Sequence, residues 1–360
     1  MYGAEAVILN MSRTLNKGPH QSMLGVFSNS SQPNVQLHAS ALQQGMDSTL
    51  ISCNGQVDRS VPLSIRHLAQ LCGADVVHAH GYKADVYVHL ALRKTRTPLV
   101  STCHTWYDNN PVVRLYGALD RLVLRNYAGV VAVSEEVQQR LLEAGVPTHR
   151  IHLIRNGIDL QPFDITRPSP GEHRGPDRPL LVGLVGRLAT EKGIELFLQA
   201  ARDVLVDQPF TKFVVVGDGP DRAKLDALID HLGIRESVSM PGRSEDMPSV
   251  YASLDVMVSS SRKEGLPIAI LEGMASRLPV IATAVGAVPS IVQDGRTGVL
   301  VPTGNVGALK SAILGLLRDP VQRERYGNAG RQSIAESFSA ERMSADYLAL
   351  YEEVLSAKVR

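Results

Sequence analysis

The chain has 360 residues, of which 44% are hydrophobic and 20% are charged, a composition typical of soluble globular proteins rather than disordered ones. Its 37 basic and 36 acidic residues give a formal net charge of +1, which argues against a general nucleic-acid binder. Cys53, Cys72 and Cys103 lack metal-ligand spacing, and no apolar run reaches the roughly 18 residues of a membrane span, so we expect a cytoplasmic protein with reduced thiols.

Helical and strand-like segments alternate through the first 160 residues. The chain opens with a helical pattern whose apolar face is formed by Ala4, Val7, Ile8, Met11 and Leu15. Apolar, β-branched runs then predict strands at Thr49–Cys53, Asp75–His80, Leu99–Cys103, Gly129–Val133 and Ile151–Ile154. This alternation indicates a doubly wound α/β domain over residues 1–160, with a parallel sheet covered on both faces.

Histidines end two of these predicted strands. His104 follows Leu99–Cys103 at the carboxyl rim of the sheet, where an imidazole can share a proton near pH 7. His78 and His80 end the strand before it, and packing is the commoner role for histidines in such positions. Ser134 begins a later helix and is predicted to be its N-cap.

A linker separates this domain from a second one. Leu160–Pro179 contains five prolines and two glycines without periodicity, which predicts a linker at 161–179. The strand-like runs of the second series are Leu180–Gly186, Lys212–Gly217, Ser237–Met240, Asp255–Val258, Val280–Ala282 and Gly298–Val301. Helical patterns lie between them, so a second doubly wound domain is predicted over 180–338. Residues 339–360 have the periodicity of a terminal helix.

Two cations fall in the turn after the first strand of the second domain. Arg187 stands at the carboxyl end of Leu180–Gly186, and Lys192 stands just before the next helix. Ligands bind at this rim of an open α/β sheet. Paired cations there would hold a diphosphate and stabilise charge as it departs. Two cations in such a turn also arise by chance, so this segment alone does not decide the function.

Glycines follow the next two strands of this domain. Gly217-Asp218-Gly219-Pro220 permits close approach of a ligand, although a plain turn explains it equally simply. Gly242 and Arg243 end the strand after that and are further candidates for ligand contact.

Glu264 and Glu272 stand eight residues apart on either side of Gly265-Leu266-Pro267. Because proline suits a first helical turn, a helix is predicted to begin near Leu266, with Glu264 at its mouth and Glu272 well inside it. Backbone N–H groups of that turn would form an anion site, while the carboxylates suit hydroxyl groups. Hydroxyls flanked by phosphate describe a nucleotide sugar. The simpler alternative is an ordinary helix start with one acid favoured by the helix dipole.

Together these segments resemble, in order and spacing, the donor site of retaining glycosyltransferases of family 4, which have the GT-B fold. The shared features are Gly-Arg-x4-Lys-Gly at 186–193, the glycine turn at 217–219 and the Glu-x7-Glu spacing of Glu264 and Glu272. The resemblance implies two Rossmann-like domains that face across a cleft, the second holding the donor and the first shaping the acceptor site. It also implies that the C-terminal helix crosses back to the first domain.

The resemblance assigns roles to the candidate residues. Arg187 and Lys192 bind the donor pyrophosphate, Glu264 approaches hydroxyls of the donor sugar, and Glu272 hydrogen-bonds the ribose. Thr102-Cys103-His104 resembles the strand that carries the family's active-site histidine, so His104 joins the catalytic candidates. The donor-binding segments hold Gly186, Gly242, Arg243, Gly265, Leu266, Pro267 and Ile268, of which Pro267 has no N–H to donate.

The start of the chain departs from this family pattern. The family segment that matches Gly3-Ala4-Glu5 opens the first helix after a strand and a glycine-rich loop, and neither precedes it here. Losing a central strand would leave the edges of two neighbours unpaired. We therefore expect the first domain to lack its first strand, and the true start to lie upstream of Met1.

The predicted activity is retaining transfer of a sugar from a nucleotide diphosphate sugar to an acceptor hydroxyl, in polysaccharide or glycolipid biosynthesis. The sequence shows no Asp-x-Asp near the donor site, so we expect no metal cofactor, with Arg187 and Lys192 in its place. Donor and acceptor identities stay open. Alternatives are a sugar epimerase or phosphorylase, a non-catalytic nucleotide-sugar-binding protein, and an NAD-dependent oxidoreductase, although Gly183-x-x-Gly186 lacks the rest of the dinucleotide fingerprint.

Basic residues cluster on the first domain, at Arg93, Lys94 and Arg96 and, along a predicted helix, at Arg114, Arg121 and Arg125. Such a surface could rest on anionic lipid at about 1 kcal/mol per basic residue. Peripheral contact with the cytoplasmic membrane face is therefore a second hypothesis, and a solvated helix face is the simpler explanation.

Overall fold

The computed structural model describes residues 3–29, 35–55, 57–104, 111–164, 178–265 and 267–357, with the backbone alone at 3, 4, 6 and 111–115. It divides into two compact units. The first unit comprises Met1–Gly157 and Ala340–Arg360, and the second unit comprises Ile158–Ser339.

Helices and strands alternate through the first unit, as the apolar runs predict. Its elements up to residue 157 are α1 (Gly3–Asn16), β1 (Met23–Ser28), α2 (Gln36–Gln43), β2 (Asp47–Ser52), α3 (Val61–Leu71), β3 (Val77–His80), α4 (Tyr82–Leu92), β4 (Leu99–Cys103), α5 (Pro111–Leu124), β5 (Gly129–Ala132), α6 (Glu135–Glu143) and β6 (Ile151–Leu153). Ser134 accepts a hydrogen bond from Val137 N through its side chain, so it is the N-cap of α6.

The second unit repeats the alternation. Its elements are β7 (Leu181–Val185), α7 (Ile194–Asp207), β8 (Lys212–Val216), α8 (Arg222–Leu232), β9 (Val238–Gly242), α9 (Met247–Ser253), β10 (Val256–Ser259), α10 (Ile268–Ala275), β11 (Val280–Thr283), α11 (Val288–Ile291), β12 (Gly298–Val301), α12 (Val306–Arg318) and α13 (Pro320–Ser337). The last helix of the chain, α14 (Ala340–Ser356), belongs to the first unit.

The strands of the first unit form two parallel sheets. One pairs β1 with β2, and the other has the order β3-β4-β5-β6. The core lies against β4 and β5, in which every residue is buried. Helix α14 packs closely on β5, because a Cβ atom at Gly129 would lie 2.9 Å from Leu350 Cδ1.

Strand β1 was not among the predicted elements. Met23, Leu24, Val26 and Phe27 form a short apolar run that Gly25 interrupts, and of the six residues only Val26 is buried. The structure also moves the start of α10 to Ile268, two residues beyond the predicted position, with Pro267 as the preceding cap residue.

The second unit has one parallel sheet of six strands in the order β12-β11-β10-β7-β8-β9. The chain runs outward from β7 through β9 and then returns to the other side of β7 to build β10, β11 and β12. The strand order therefore reverses between β7 and β10, and ligands bind at the carboxyl ends of the strands beside such a reversal.

Within the described ranges, none of the helices has both the length and the apolarity needed to traverse a lipid bilayer.

Candidate functional site

Two loops leave the sheet of the second unit at its reversal point. Residues 186–193 follow β7, and residues 260–267 follow β10. The two strands are direct neighbours, with Val182 opposite Val256 and Gly183 opposite Met257. The loops that hold Arg187, Lys192 and Glu264 therefore start side by side at the carboxyl edge, as the sequence predicts for a ligand site.

Backbone and hydroxyl contacts fasten these two loops together. Arg262 N donates to Glu191 O at 2.7 Å, and Ser260 Oγ donates to Gly193 O at 2.8 Å. Gly193 has a φ of 57°, and a Cβ atom there would lie only 2.3 Å from Ser260 O. Glycine at this position is thus required both by the left-handed backbone and by the close approach of the second loop.

Lys192 and Glu264 meet across the reversal point. Lys192 Nζ donates to Glu264 Oε1 at 2.6 Å, and Ser261 Oγ donates to the same oxygen at 2.6 Å. The Glu264 side chain is only 8% exposed and that of Lys192 is 26% exposed, so the pair is shielded from water. Glu264 Oε2 makes no hydrogen bond with any residue that the structure describes.

A third loop supports Glu264 from behind. Gly286, in the turn after β11, has a φ of 52°, and a Cβ atom there would lie 1.8 Å from Glu264 O. Ala287 N donates to Gly265 O at 3.3 Å, and Thr283 Oγ1 donates to Ser261 O at 2.6 Å. The carboxylate is therefore held by a backbone fixed on both sides.

The second predicted cation is also bound to a carboxylate. Arg187 donates to Glu191, four residues later in the same loop. That hydrogen bond holds the pKa of the Glu191 carboxyl below its usual value. Both side chains are well exposed, at 51% and 40%, and exposed pairs of this kind contribute only about 0–1 kcal/mol. The Arg187–Glu191 pair itself thus stabilises the loop only weakly.

Glu272 lies in the second turn of α10, and its hydrogen-bond partner is Tyr251 rather than Lys192 or Glu264. The Tyr251 hydroxyl donates to Glu272 Oε2 at 2.8 Å, and the tyrosine side chain is fully buried. Burial raises the pKa of Glu272 to about 7, and the Tyr251 hydrogen bond opposes that rise. Its charge therefore changes near neutral pH.

The glycine turns after β7, β8 and β9 are stacked against one another. Gly186 N donates to Val216 O at 3.0 Å, and Gly217 N donates to Gly242 O at 2.8 Å. A Cβ atom at Gly217 would lie 1.9 Å from Gly186 O, so the turns could not approach with side chains present. Arg243 follows this stack and is exposed to solvent.

The first turn of α10 presents backbone donors. The helix has no side-chain N-cap, and Ile270 N and Leu271 N donate to Pro267 O, which leaves the N–H groups of Ile268 and Ala269 outside the intrahelical pattern. Gly265 is exposed and Pro267 is buried, while Leu266 lies outside the described residues.

The predicted histidine His104 stands with His80 and His78 at the carboxyl ends of β3 and β4 in the first unit. His80 Nδ1 lies 3.4 Å from His104 Nε2, and the His78 and His80 rings stack at 4.3 Å. His78 also bonds to the hydroxyls of Tyr351 and Thr102 at 2.7 and 2.8 Å, which ties it to α14. Burial lowers the pKa of His104 to about 4 and that of His78 to about 3, so both are neutral at pH 7.

Sequence reasoning missed three residues that shape the site of the second unit: Glu191, Ser261 and Tyr251. Glu191 is four residues from Arg187, a spacing that favours an ion pair. Ser261 ends a run of three serines that begins at the last residue of β10, and it stands three residues before the predicted Glu264. Nothing in the local sequence points to the pairing of Tyr251 with Glu272. Among the described residues, no group of three or more His, Cys, Asp or Glu could hold a metal ion.

Two protein families match this chain in succession. Residues 1–162 match Glycosyltransferase Family 4, and residues 167–333 match Glycosyl transferases group 1. The chain is 30% identical to alpha-D-kanosaminyltransferase of Streptomyces kanamyceticus in an alignment of 297 positions that covers 77% of each protein. It is 25% identical to N-acetyl-alpha-D-glucosaminyl L-malate synthase of Bacillus anthracis over 83% of this chain and 80% of that protein.

Solved structures share the whole architecture. Anabaena Alr3699/HepE in complex with UDP superposes with a TM-score of 0.83 at 20% identity, over 99% of this chain and 96% of that one. Sucrose-phosphate synthase from Thermosynechococcus elongatus superposes with a TM-score of 0.81 at 19% identity, over 99% and 94% of the two chains. The two Rossmann-like units therefore have the GT-B fold.

Proposed function

The chain belongs to the group 1 glycosyltransferases of family 4, and on that basis we propose that it moves a sugar, with retention, from a nucleotide diphosphate sugar to an acceptor hydroxyl. The observation that carries the proposal is the Lys192–Glu264 pair across the reversal point of the second sheet. A shielded carboxylate with one oxygen to spare, beside two cations, suits a ligand that has both hydroxyl and phosphate groups.

The diphosphate replaces Glu191 as the partner of Arg187 and binds Lys192 beside Glu264. Arg187 leaves its exposed pair with Glu191 and offers a planar fork to phosphate oxygens. Lys192 keeps its bond to Glu264 and still has two of its three N–H donors for the diphosphate. The N–H groups at the start of α10 add the partial positive charge of a helix N-terminus. Glu264 thereby fixes the position of Lys192 and still leaves it able to bind the diphosphate.

The sugar and the ribose are bound by the two carboxylates. Glu264 Oε2 accepts from hydroxyls of the donor sugar, since Oε1 is occupied by Lys192 and Ser261. Glu272 accepts from the ribose through Oε1, because Oε2 is bound to Tyr251. The family resemblance assigns the same roles to both residues, and these free oxygens support them.

In the transfer step, the bond between the anomeric carbon and the phosphate oxygen breaks, and the electron pair goes to the departing diphosphate. The acceptor oxygen forms its bond on the same face, and its proton passes to the departing phosphate. Arg187 and Lys192 stabilise the developing charge, so no metal ion is needed. His104, as a neutral imidazole, is able to donate a hydrogen bond to a sugar hydroxyl.

The acceptor that we propose is a carbohydrate or glycolipid. Uridine diphosphate sugars are the first donors to test, because solved structural neighbours contain UDP and UDP-glucose.

The test is release of nucleoside diphosphate from a panel of nucleotide sugars, with mono- and disaccharide acceptors, in the presence and absence of EDTA. We expect release that depends on the acceptor, is unaffected by EDTA and is lost in Lys192→Ala. The anomeric coupling constant of the product, measured by NMR, is expected to show retention. Tight donor binding without release in any combination would make the protein a binder, and an inverted product would contradict the retaining mechanism.

A further inference from the structure

The first unit has a large cavity at one end of its four-stranded sheet. His104 lies at the other end, where the strands have their carboxyl ends. The cavity lies at the amino ends of β4, β5 and β6 and has a volume of about 830 Å³. Its walls come from the end of α4, the loops before β4, β5 and β6, and the end of α14. Small-molecule sites usually occupy about 300–1,000 Å³, so this cavity is large enough for an organic ligand.

The charged groups of the cavity are mainly basic. Arg93 and Arg150 line it together with the imidazoles of His89 and His149, and the single acid is Glu353. Neither arginine forms an ion pair with a residue that the structure describes. Arginines that line a concave surface without a carboxylate partner create a positive potential that attracts anions.

Arg150 is already fixed in position. Its Nη1 donates to the carbonyl oxygens of Arg125 and Tyr127, at 2.9 and 3.3 Å. These bonds satisfy backbone carbonyls beyond the end of α5 and leave the remaining guanidinium N–H groups for a ligand. A donor that is ordered before binding loses less conformational entropy when the ligand arrives.

The side chain of Arg93 is not bonded to any residue that the structure describes. Its backbone N–H ends α4 by donating to His89 O at 2.9 Å, so the guanidinium group is not needed as a cap. The guanidinium makes no hydrogen bond with any described residue. Burial and the positive charge of Arg93 lower the pKa of His89, which also lines the cavity.

We propose that this cavity binds a phosphate-bearing small molecule, with Arg93 and Arg150 as the groups that hold the phosphate. The guanidinium fork matches two phosphate oxygens at once. The volume leaves room for an organic body attached to the phosphate, and the polar side chains Thr97 and Asn126 can contact hydroxyls on that body. The ligand is thus a phosphoester, either a free metabolite or the headgroup of a phospholipid.

The test compares Arg93→Gln with the matched control Lys94→Gln. The two residues are adjacent, have equal charge and are exposed, but only Arg93 lines the cavity. Glycerol 3-phosphate and inorganic phosphate are titrated calorimetrically into the full chain, and co-sedimentation is measured with vesicles that contain phosphatidylglycerol. Any phosphate that binds in the second unit contributes equally to both variants.

We expect saturable binding that Arg93→Gln weakens about tenfold or more, since hydrogen bonds to charged groups contribute about 1.5–3 kcal/mol, and that Lys94→Gln leaves unchanged. Loss of the soluble phosphoester would identify a metabolite site, and selective loss of vesicle binding would identify a lipid headgroup site. No binding of either probe, or an equal decrease in both variants, would overturn the proposal.

Discussion

At the scale of single residues, the account depends most on the charge of Glu264. Glutamine at this position can still accept from Lys192 and Ser261, so the fold is expected to survive in Glu264→Gln. The free oxygen, however, loses the negative charge that strengthens a bond to a sugar hydroxyl in the transition state. We predict that kcat falls by about 100-fold or more with an unchanged melting temperature.

The control for that substitution is Glu195→Gln. Glu195, at the start of α7, accepts a hydrogen bond from Arg262 at 2.6 Å and so links the chain after β7 to the loop after β10. It takes no part in the proposed donor site. A decrease in kcat within about threefold is expected, because the pair is partly exposed. If both variants lost activity to the same extent, the effect would lie in loop stability, and the role of Glu264 would be refuted.

We predict that Glu272 gives donor binding a pH dependence. Since burial raises its pKa to about 7, the carboxylate that accepts from the ribose is present above that pH and is lost as the pH falls through it. Donor affinity should therefore increase between pH 6 and pH 8. The Tyr251 hydrogen bond lowers the pKa of Glu272, so Tyr251→Phe should move the midpoint to higher pH.

Isothermal titration of the nucleoside diphosphate across this pH range measures both effects, with Glu272→Gln as the control that has no ionisable group. A midpoint that is the same in Tyr251→Phe and in the unmodified protein would mean that the ionisation of Glu272 does not control donor binding.

His104 is expected to act as a neutral group. Its pKa of about 4, lowered by burial, means that its protonation leaves no acid limb in the rate profile between pH 6 and pH 8. His104→Ala should slow transfer by about 100- to 1,000-fold, the typical contribution of one positioned donor, while the donor dissociation constant changes little. Abolished donor affinity in this variant, measured by the same titration, would show that His104 has a binding role instead.

At the scale of elements, the turn after β11 determines where Glu264 can lie. Gly286→Ala places a methyl group 1.8 Å from Glu264 O and strains a backbone with φ of 52°. We predict that donor affinity decreases and that the free energy of unfolding falls by clearly more than the about 1–2 kcal/mol expected from the left-handed backbone alone.

Gly304→Ala is the matched control, because Gly304 has a φ of 76° and no atom within 4 Å of its would-be Cβ. It should show only the backbone penalty and keep donor affinity. Denaturant unfolding and donor titration of both variants make the comparison. Equal losses in the two variants would mean that contact with Glu264 is unimportant.

Continuous apolar runs predicted strands well. Leu99–Cys103, which is buried throughout, has the predicted limits, and so does Gly298–Val301, an edge strand whose two middle residues are half-buried. Strand β1 was missed because Gly25 interrupts its short apolar run. The start of α10 was misplaced because proline is compatible both with a first turn and with the residue before it.

The pairings within the site could not be predicted from the sequence. Lys192 and Glu264 are 72 positions apart, and only the strand order, which places β10 beside β7, brings them into contact. The sequence predicted both residues as ligand contacts through family resemblance, but it gave no sign that they bind each other. The pairing of Arg187 with Glu191 was likewise not predicted.

At the scale of the whole molecule, the second unit holds the proposed diphosphate site. Its sheet reverses between β7 and β10, and the loops at that point provide both cations, the shielded carboxylate and the helix N-terminus. In the four-stranded sheet of the first unit, His104 lies at the carboxyl ends of the strands and the basic cavity lies at their amino ends. In both units the proposed binding sites thus lie at the ends of parallel strands.

The most direct test of the central claim is a crystal structure of the protein with a bound nucleotide diphosphate sugar. We predict that the diphosphate lies within hydrogen-bonding distance of Arg187 and Lys192, that Arg187 has left Glu191, and that a sugar hydroxyl donates to Glu264 Oε2. A nucleotide bound away from the ends of β7 and β10, with the Arg187–Glu191 and Lys192–Glu264 pairs unchanged and no contact to the sugar, would contradict it.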